Sequence, residues 1–420
     1  MTLTDMRGAP VSTGNRKALD GLERAFNLFQ GFYLDPLAEI DAVLAEDPDF
    51  VMGHCFRAGL FVVSSDKQAE PEIAATVARI EKLAGKANER ERGHLAAAKA
   101  WLVGDFHGAA DCYGAVIANC PRDAVALHFA HQCDFLLGQS RMLRDRISWS
   151  LPHYDEKVQG YGYLLGMRAF GLEEMGEYAK AEAAGRKALA IEPRDPWAVH
   201  AVAHVMEMEG RAEDGIAWLA SREQDWAPNN GFAFHNAWHL ALFHLDRRNF
   251  VETLRIYDQA IHPKPTTAAM ELVDAVALLW RLQLLGQNVG TRWRELADTY
   301  EPMAEDGYYA FNDMHAMLSF IADGREAAAA RLLRRLKQRA DDSDSNGVVT
   351  REVGLPIARA LFAFDKGDYD RAVELLLPVR LIANRLGGSH AQRDIVDVTL
   401  VEAAIRGRRR GLAMALSHER

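Results

Sequence analysis

No run of lysine and arginine in this chain is long enough to form a phosphate-binding surface, and 49 basic residues are outnumbered by 59 acidic ones for a net charge of -10. A nucleic-acid partner is therefore not expected. The start, MTLTDMRGAPVSTGNRK, lacks both an apolar signal core and an Arg-rich amphipathic pattern. No later segment reaches the roughly 18 uninterrupted apolar residues of a membrane span. The expectation is a cytoplasmic protein with no membrane partner. The cysteines are few, Cys55, Cys112, Cys120 and Cys133, and no two are spaced C-x-x-C; they read as buried, reduced thiols rather than redox or metal groups. H-E-x-x-H, a nucleophile elbow, a phosphate loop and a dinucleotide fingerprint are all missing, so the common catalytic signatures give no reaction class.

What is present is repetition. At 420 residues with 49% apolar content, the chain is too long for one ordinary core and suits a repeat array that grows without one. GDFHGAADC, GEYAKAEAA, RNFVETLRI and GDYDRAVEL begin at Gly104, Gly176, Arg248 and Gly367. Each has a turn, an aromatic two residues on (Phe106, Tyr178, Phe250, Tyr369) and an amphipathic helix. Five residues from the glycines lie Ala109, Ala181 and Ala372, where helices need to approach closely, and Pro121, Pro193 and Pro265 stop the second helix. The same ruler finds Gly31, Ser65, Gly138, Gly210, Gly286, Gly324 and Gly407, in steps of 34 to 43 residues. This is a helix-turn-helix repeat slightly longer than the tetratricopeptide period.

The predicted fold is all-α: a tetratricopeptide-like solenoid of about eleven helix pairs over residues 17–420, curled into a right-handed superhelix with a concave groove. Residues 1–16 read as a flexible N-terminus, and RADDSDSNGVV from Arg339 as an exposed loop. In GGSHAQRD, Ser389 and Gln392 form an S-x-x-Q capping box, with His390 and Arg393 near the groove mouth.

Three strings, HAVAHVMEMEGR, FHNAWHLALFHL and GGSHAQRDIVDVTLVEAAI, resemble the tetratricopeptide repeat protein 38 family, and the resemblance covers nearly the whole chain. It implies an all-helical repeat fold and brings no activity with it, so the residues are read by their own chemistry.

With the turn glycine set at position 15 of each repeat, positions 2, 5, 6, 9 and 12 of the first helix line the groove. His200, His204 and Glu207 fall at positions 5, 9 and 12, and His235 and His239 at 2 and 6 of the next repeat. The two histidine pairs should therefore converge. Histidines at i and i+4 share a helical face and can hold one cation, and a third ring from the next helix makes a three-His site. His200, His204, His235 and His239 are the candidate ligands of a divalent metal. His128, His315 and Trp238 are further groove candidates, as is His94, and Glu207 and Asp313 are candidate carboxylates for orienting a ring or acting as general base. The leading reading is a binding protein whose histidine-lined groove captures a small molecule, a metal or a short peptide. A metal-dependent enzyme, hydrolytic or oxidative, and a plain protein-protein scaffold stay open beside it.

Overall fold

The structure, a computed structural model, describes residues 3–419. It is an all-α, tetratricopeptide-like succession of helices joined by tight turns. Where a single array was expected, contacts divide the chain into two compact units, Met1–His239 and Leu240–Arg420.

The turns lie where the punctuation put them. Gly104, Gly138, Gly176, Gly210, Gly286, Gly324 and Gly367 all have positive φ, and Ser65 and Arg248 adopt the same left-handed turn without being glycine. At both ends the ruler slips by one residue: Phe32 and Arg408, not Gly31 and Gly407, carry the positive φ. Closure of each pair depends on small residues. Ala109, Ala181 and Ala372 are fully buried, and Ala181 packs with Leu172 and Val205.

In the first unit the helices Ala124–Leu136, Tyr161–Glu173 and Pro196–Met208 lead toward the start of the helix Ala233–Asp246. The unit closes on itself. Phe32, at the end of the first helix pair's turn, stacks on Trp197 with ring centres 5.7 Å apart. Beside it, Asn230 Nδ2 donates to the Gly31 carbonyl at 2.8 Å and Gly231 N–H to the Phe32 carbonyl at 2.7 Å.

Two loop expectations are corrected. The segment read as flexible forms a small antiparallel pairing, Leu3–Thr4 with Pro10–Val11, and is docked by charge. Arg7 meets Glu23 at 2.7 Å with both side chains almost wholly buried. Asp5 meets Arg90 at 3.2 Å, and Arg90 in turn holds Asp123 at 2.6 Å. In the second unit, the stretch after Arg339 is not a loop throughout: Asp344 accepts from Gly347 N–H at 2.7 Å and caps a helix Ser345–Val349. The capping box is present, with Ser389 accepting from Gln392 N–H and the Gln392 side chain returning to Ser389 N–H.

Candidate metal centre

The helix Pro196–Met208 starts where Asp195 accepts from the N–H groups of Trp197 and Ala198 and where Pro196 occupies the first turn. From there, one turn separates His200 from His204, and their ring centres lie 4.3 Å apart. The next repeat's first helix, Ala233–Asp246, supplies His235 and His239, with centres 4.9 Å apart. The two pairs face each other: His200 lies 4.8 Å from His235, and His204 lies 4.4 Å from His239. His200 Nε2 and His235 Nε2 are 3.1 Å apart. One ring nitrogen from each of the four falls within 4.8 Å of the others.

The rings sit in a dry aromatic box. All four are at most 1% exposed. Phe170 stacks on His200 at 5.3 Å, Trp238 stacks on His235 at 5.5 Å, and Phe232 closes against both. Burial, reinforced by the three neighbouring imidazoles, holds the His200 ring well below the usual histidine range. It is a neutral donor near neutrality.

Two carboxylates stand behind the rings. His239 Nδ1 donates to Glu207 Oε2 at 2.9 Å, which leaves Nε2 as that ring's ligand atom. Glu173 Oε2 lies 3.6 Å from His204 Nδ1, with both side chains fully buried. A carboxylate on the far nitrogen fixes the tautomer and raises the basicity of a ligating imidazole. A divalent ion among the four rings would also lie close to both carboxylates and attract them through the rings.

The other sequence candidates have contacts of their own. His128 Nδ1 donates to the Ala124 carbonyl at 2.8 Å and packs on Phe26. His94 bonds Asp123 at 2.8 Å within the buried Arg90 network. His315 and Asp313 belong to the second unit, where His315 Nδ1 donates to the Phe311 carbonyl at 2.8 Å. Trp238 is core wall, fully buried. His390 and Arg393 also lie in the second unit, and Arg393 donates to the Gly388 carbonyl beside the capping box. The residue the sequence reading missed is Glu173. It precedes Gly176 by three residues as Glu207 precedes Gly210, so the same position-12 ruler, applied one repeat earlier, would have found it.

No family model matches the chain. Among solved structures it is similar to the human IFIT1 dimer with m7Gppp-AAAA, at 14% identity and a TM-score of 0.46, over 95% of this chain and 88% of that one. It is also similar to the P58(IPK) TPR domain, at 15% identity and a TM-score of 0.18, over 82% and 98%. The capped oligonucleotide of the IFIT1 structure contrasts with the expectation of no nucleic-acid partner here, and a likeness at this level does not carry its ligand across. No helix among the described residues is long and apolar enough to cross a membrane.

Proposed function

We propose that this chain is a metal-binding repeat protein of the tetratricopeptide repeat protein 38 family, holding one divalent cation among His200, His204, His235 and His239. The observation that supports this most is the convergence of four buried imidazole nitrogens from consecutive repeats within 4.8 Å of one another. Nitrogen-only donors favour zinc, copper, nickel or iron(II) over magnesium or calcium, and zinc best tolerates a tetrahedral set. Two nitrogens at 2.1 Å from a tetrahedral ion are about 3.4 Å apart. The 3.1 Å pair already matches, and the widest pair must draw in.

Four protein ligands favour binding over catalysis. Structural sites are closed by four side chains, whereas catalytic ones keep a position for water or substrate. Glu207, a candidate general base in the sequence, is engaged in orienting His239. The test is elemental analysis of protein purified without an immobilised-metal step, followed by zinc titration against a chromophoric chelator. One ion per chain, lost when His204 and His235 are replaced together, is the expected result. A chain that stays metal-free and takes up no zinc overturns the proposal in favour of a scaffold with a hydrogen-bonded imidazole cluster.

A further inference from the structure

The four histidine rings are at most 1% exposed, so an ion reaches them only when part of their wall moves. Three wall members stand within helices: Phe170 in Tyr161–Glu173, Trp197 in Pro196–Met208 and Trp238 in Ala233–Asp246. Phe232 does not. It closes against His200 at 5.2 Å and His235 at 4.8 Å from the loop just before Ala233–Asp246, and its loop neighbours Asn229 and Gly231 are exposed. Shifting a helix breaks a whole packed face, whereas lifting a loop residue breaks a few bonds, and local opening follows the weaker route.

What holds Phe232 in place is the turn of the first helix pair. The Phe32 ring lies 4.8 Å from it, and Tyr33 forms an isolated antiparallel bridge with Asn230. Asn230 fastens both sides: its Nδ2 donates to the Gly31 carbonyl at 2.8 Å, and its Oδ1 accepts from Phe232 N–H at 2.9 Å. The same turn reaches the other histidine helix. Phe32 stacks on Trp197, and the Tyr33 hydroxyl donates at 3.1 Å to the carbonyl of Arg194, just before Pro196–Met208. One turn thus spans the starts of both helices that carry the rings. Its residue type departs from the repeat. Seven turns place glycine at the positive-φ position, and Phe32, at φ 57°, is the one aromatic found there among the described residues. A bulky side chain is disfavoured in that conformation, and here its ring is the part that touches Trp197 and Phe232.

We propose that Phe32 and Asn230 gate the four-histidine centre, an inference that rests on that centre holding zinc: the ion enters and leaves when Phe232 lifts away from the first turn. The gate is shut at both ends of the binding reaction. Loosening it therefore speeds entry and exit by the same factor and leaves affinity unchanged, whereas a residue that merely shaped the site would change affinity.

The experiment follows zinc uptake, and zinc release to excess chelator, by stopped flow on the full chain. It compares the parent with Phe32→Ala and Asn230→Ala, and with Ala181→Leu, whose bulk falls in a helix seam, as the control for release through global unfolding. The clasp variants should speed uptake and release together by about tenfold or more, with the dissociation constant kept within about twofold. Ala181→Leu should keep the parent's rates. Weakened affinity in place of matched rate changes, parent-like rates in either folded clasp variant, or equally fast release from Ala181→Leu would each overturn the gate and leave the metal site standing. A parent chain that takes up no zinc overturns both. Should Phe32→Ala fail to fold, Asn230→Ala decides alone.

Discussion

The Nε2 atoms of His200 and His235 stand 3.1 Å apart although the residues belong to different helices of consecutive repeats. Without a metal the two nitrogens share one hydrogen bond at this separation, and a cation between them uses both lone pairs. Removing one ring from the set should therefore weaken zinc by more than the roughly 10–100-fold typical of a supporting residue. Replacing His204 with Ala should leave the helical signal intact, but His204 is fully buried and part of the packed interior. That variant should lose metal and also about 2 kcal/mol of metal-free stability from the cavity it leaves. Chelator competition reads the first effect, and urea melts with EDTA present read the second. A variant that binds zinc like the parent removes His204 from the ligand set.

The two acids behind the rings separate orientation from ligation. Glu207→Gln keeps shape and loses charge at a partly exposed position, so zinc affinity should fall by about 10–100-fold with little change in melting. Glu173→Gln, at the fully buried position, should weaken zinc comparably, since the amide cannot supply the carboxylate behind the His204 ring. Comparable zinc affinity in both variants and the parent would strip the carboxylates of any part in the site.

Acid should destabilise the metal-free protein. Burial holds His128 at about 4, His131 at about 3 and His315 at about 4, each below the unfolded value of 6.5, and His200 is also held well below it. In that window the unfolded chain takes up protons that the folded one refuses. Each such ring costs about 1.4 kcal/mol per pH unit below 6.5. Asp195 and Asp134, raised by burial to about 8 and about 7, work the other way, binding protons in the folded state and gaining stability as pH falls toward 4. His54 and His244 are lowered as well, and Asp5 and Glu192 raised, so six histidines against four acids leave a net loss between pH 6.5 and 4, measurable as a falling urea midpoint. A flat or rising midpoint across that window contradicts the balance.

Overpacking a repeat seam should leave the site alone. Ala181 is fully buried against Leu172 and Val205, so Ala181→Leu should cost about 1–3 kcal/mol. The added bulk meets Leu172 and Val205 rather than the rings, so zinc stoichiometry should hold at one. Loss of zinc at unchanged stability would mean the seam and the site are not separate.

Local rules carried much of this structure and long-range ones did not. The turn at Gly176 and the cap at Ser389 depend on residues a few positions apart, so spacing alone exposes them. The meeting of His200 with His235 was legible because the repeat converts sequence position into a face. Glu173 uses the same rule and was missed only because its own repeat carries no histidine beside it: position 9 there is Phe170. The N-terminal segment was misread for a long-range reason. Its short polar residues look like a tail until Asp5 and Arg7 find partners far along the chain.

That segment gives the last test. Arg7 and Glu23 pair at 2.7 Å with side chains 2% and 5% exposed, and Glu23 also accepts from Met6 N–H at 2.9 Å. Breaking such a pair from one side strands a buried charge, which costs about 3–5 kcal/mol, whereas replacing both partners with apolar residues of similar size is often neutral. Arg7→Ala should therefore lower the urea midpoint sharply, and Arg7→Met with Glu23→Leu should recover most of the loss. Arg7 also lies over the Phe26 ring at 4.9 Å, so the methionine chain keeps contact with the aromatic that the alanine gives up. An Arg7→Ala protein as stable as the parent would mean that the segment is free in solution and that the flexible reading was correct.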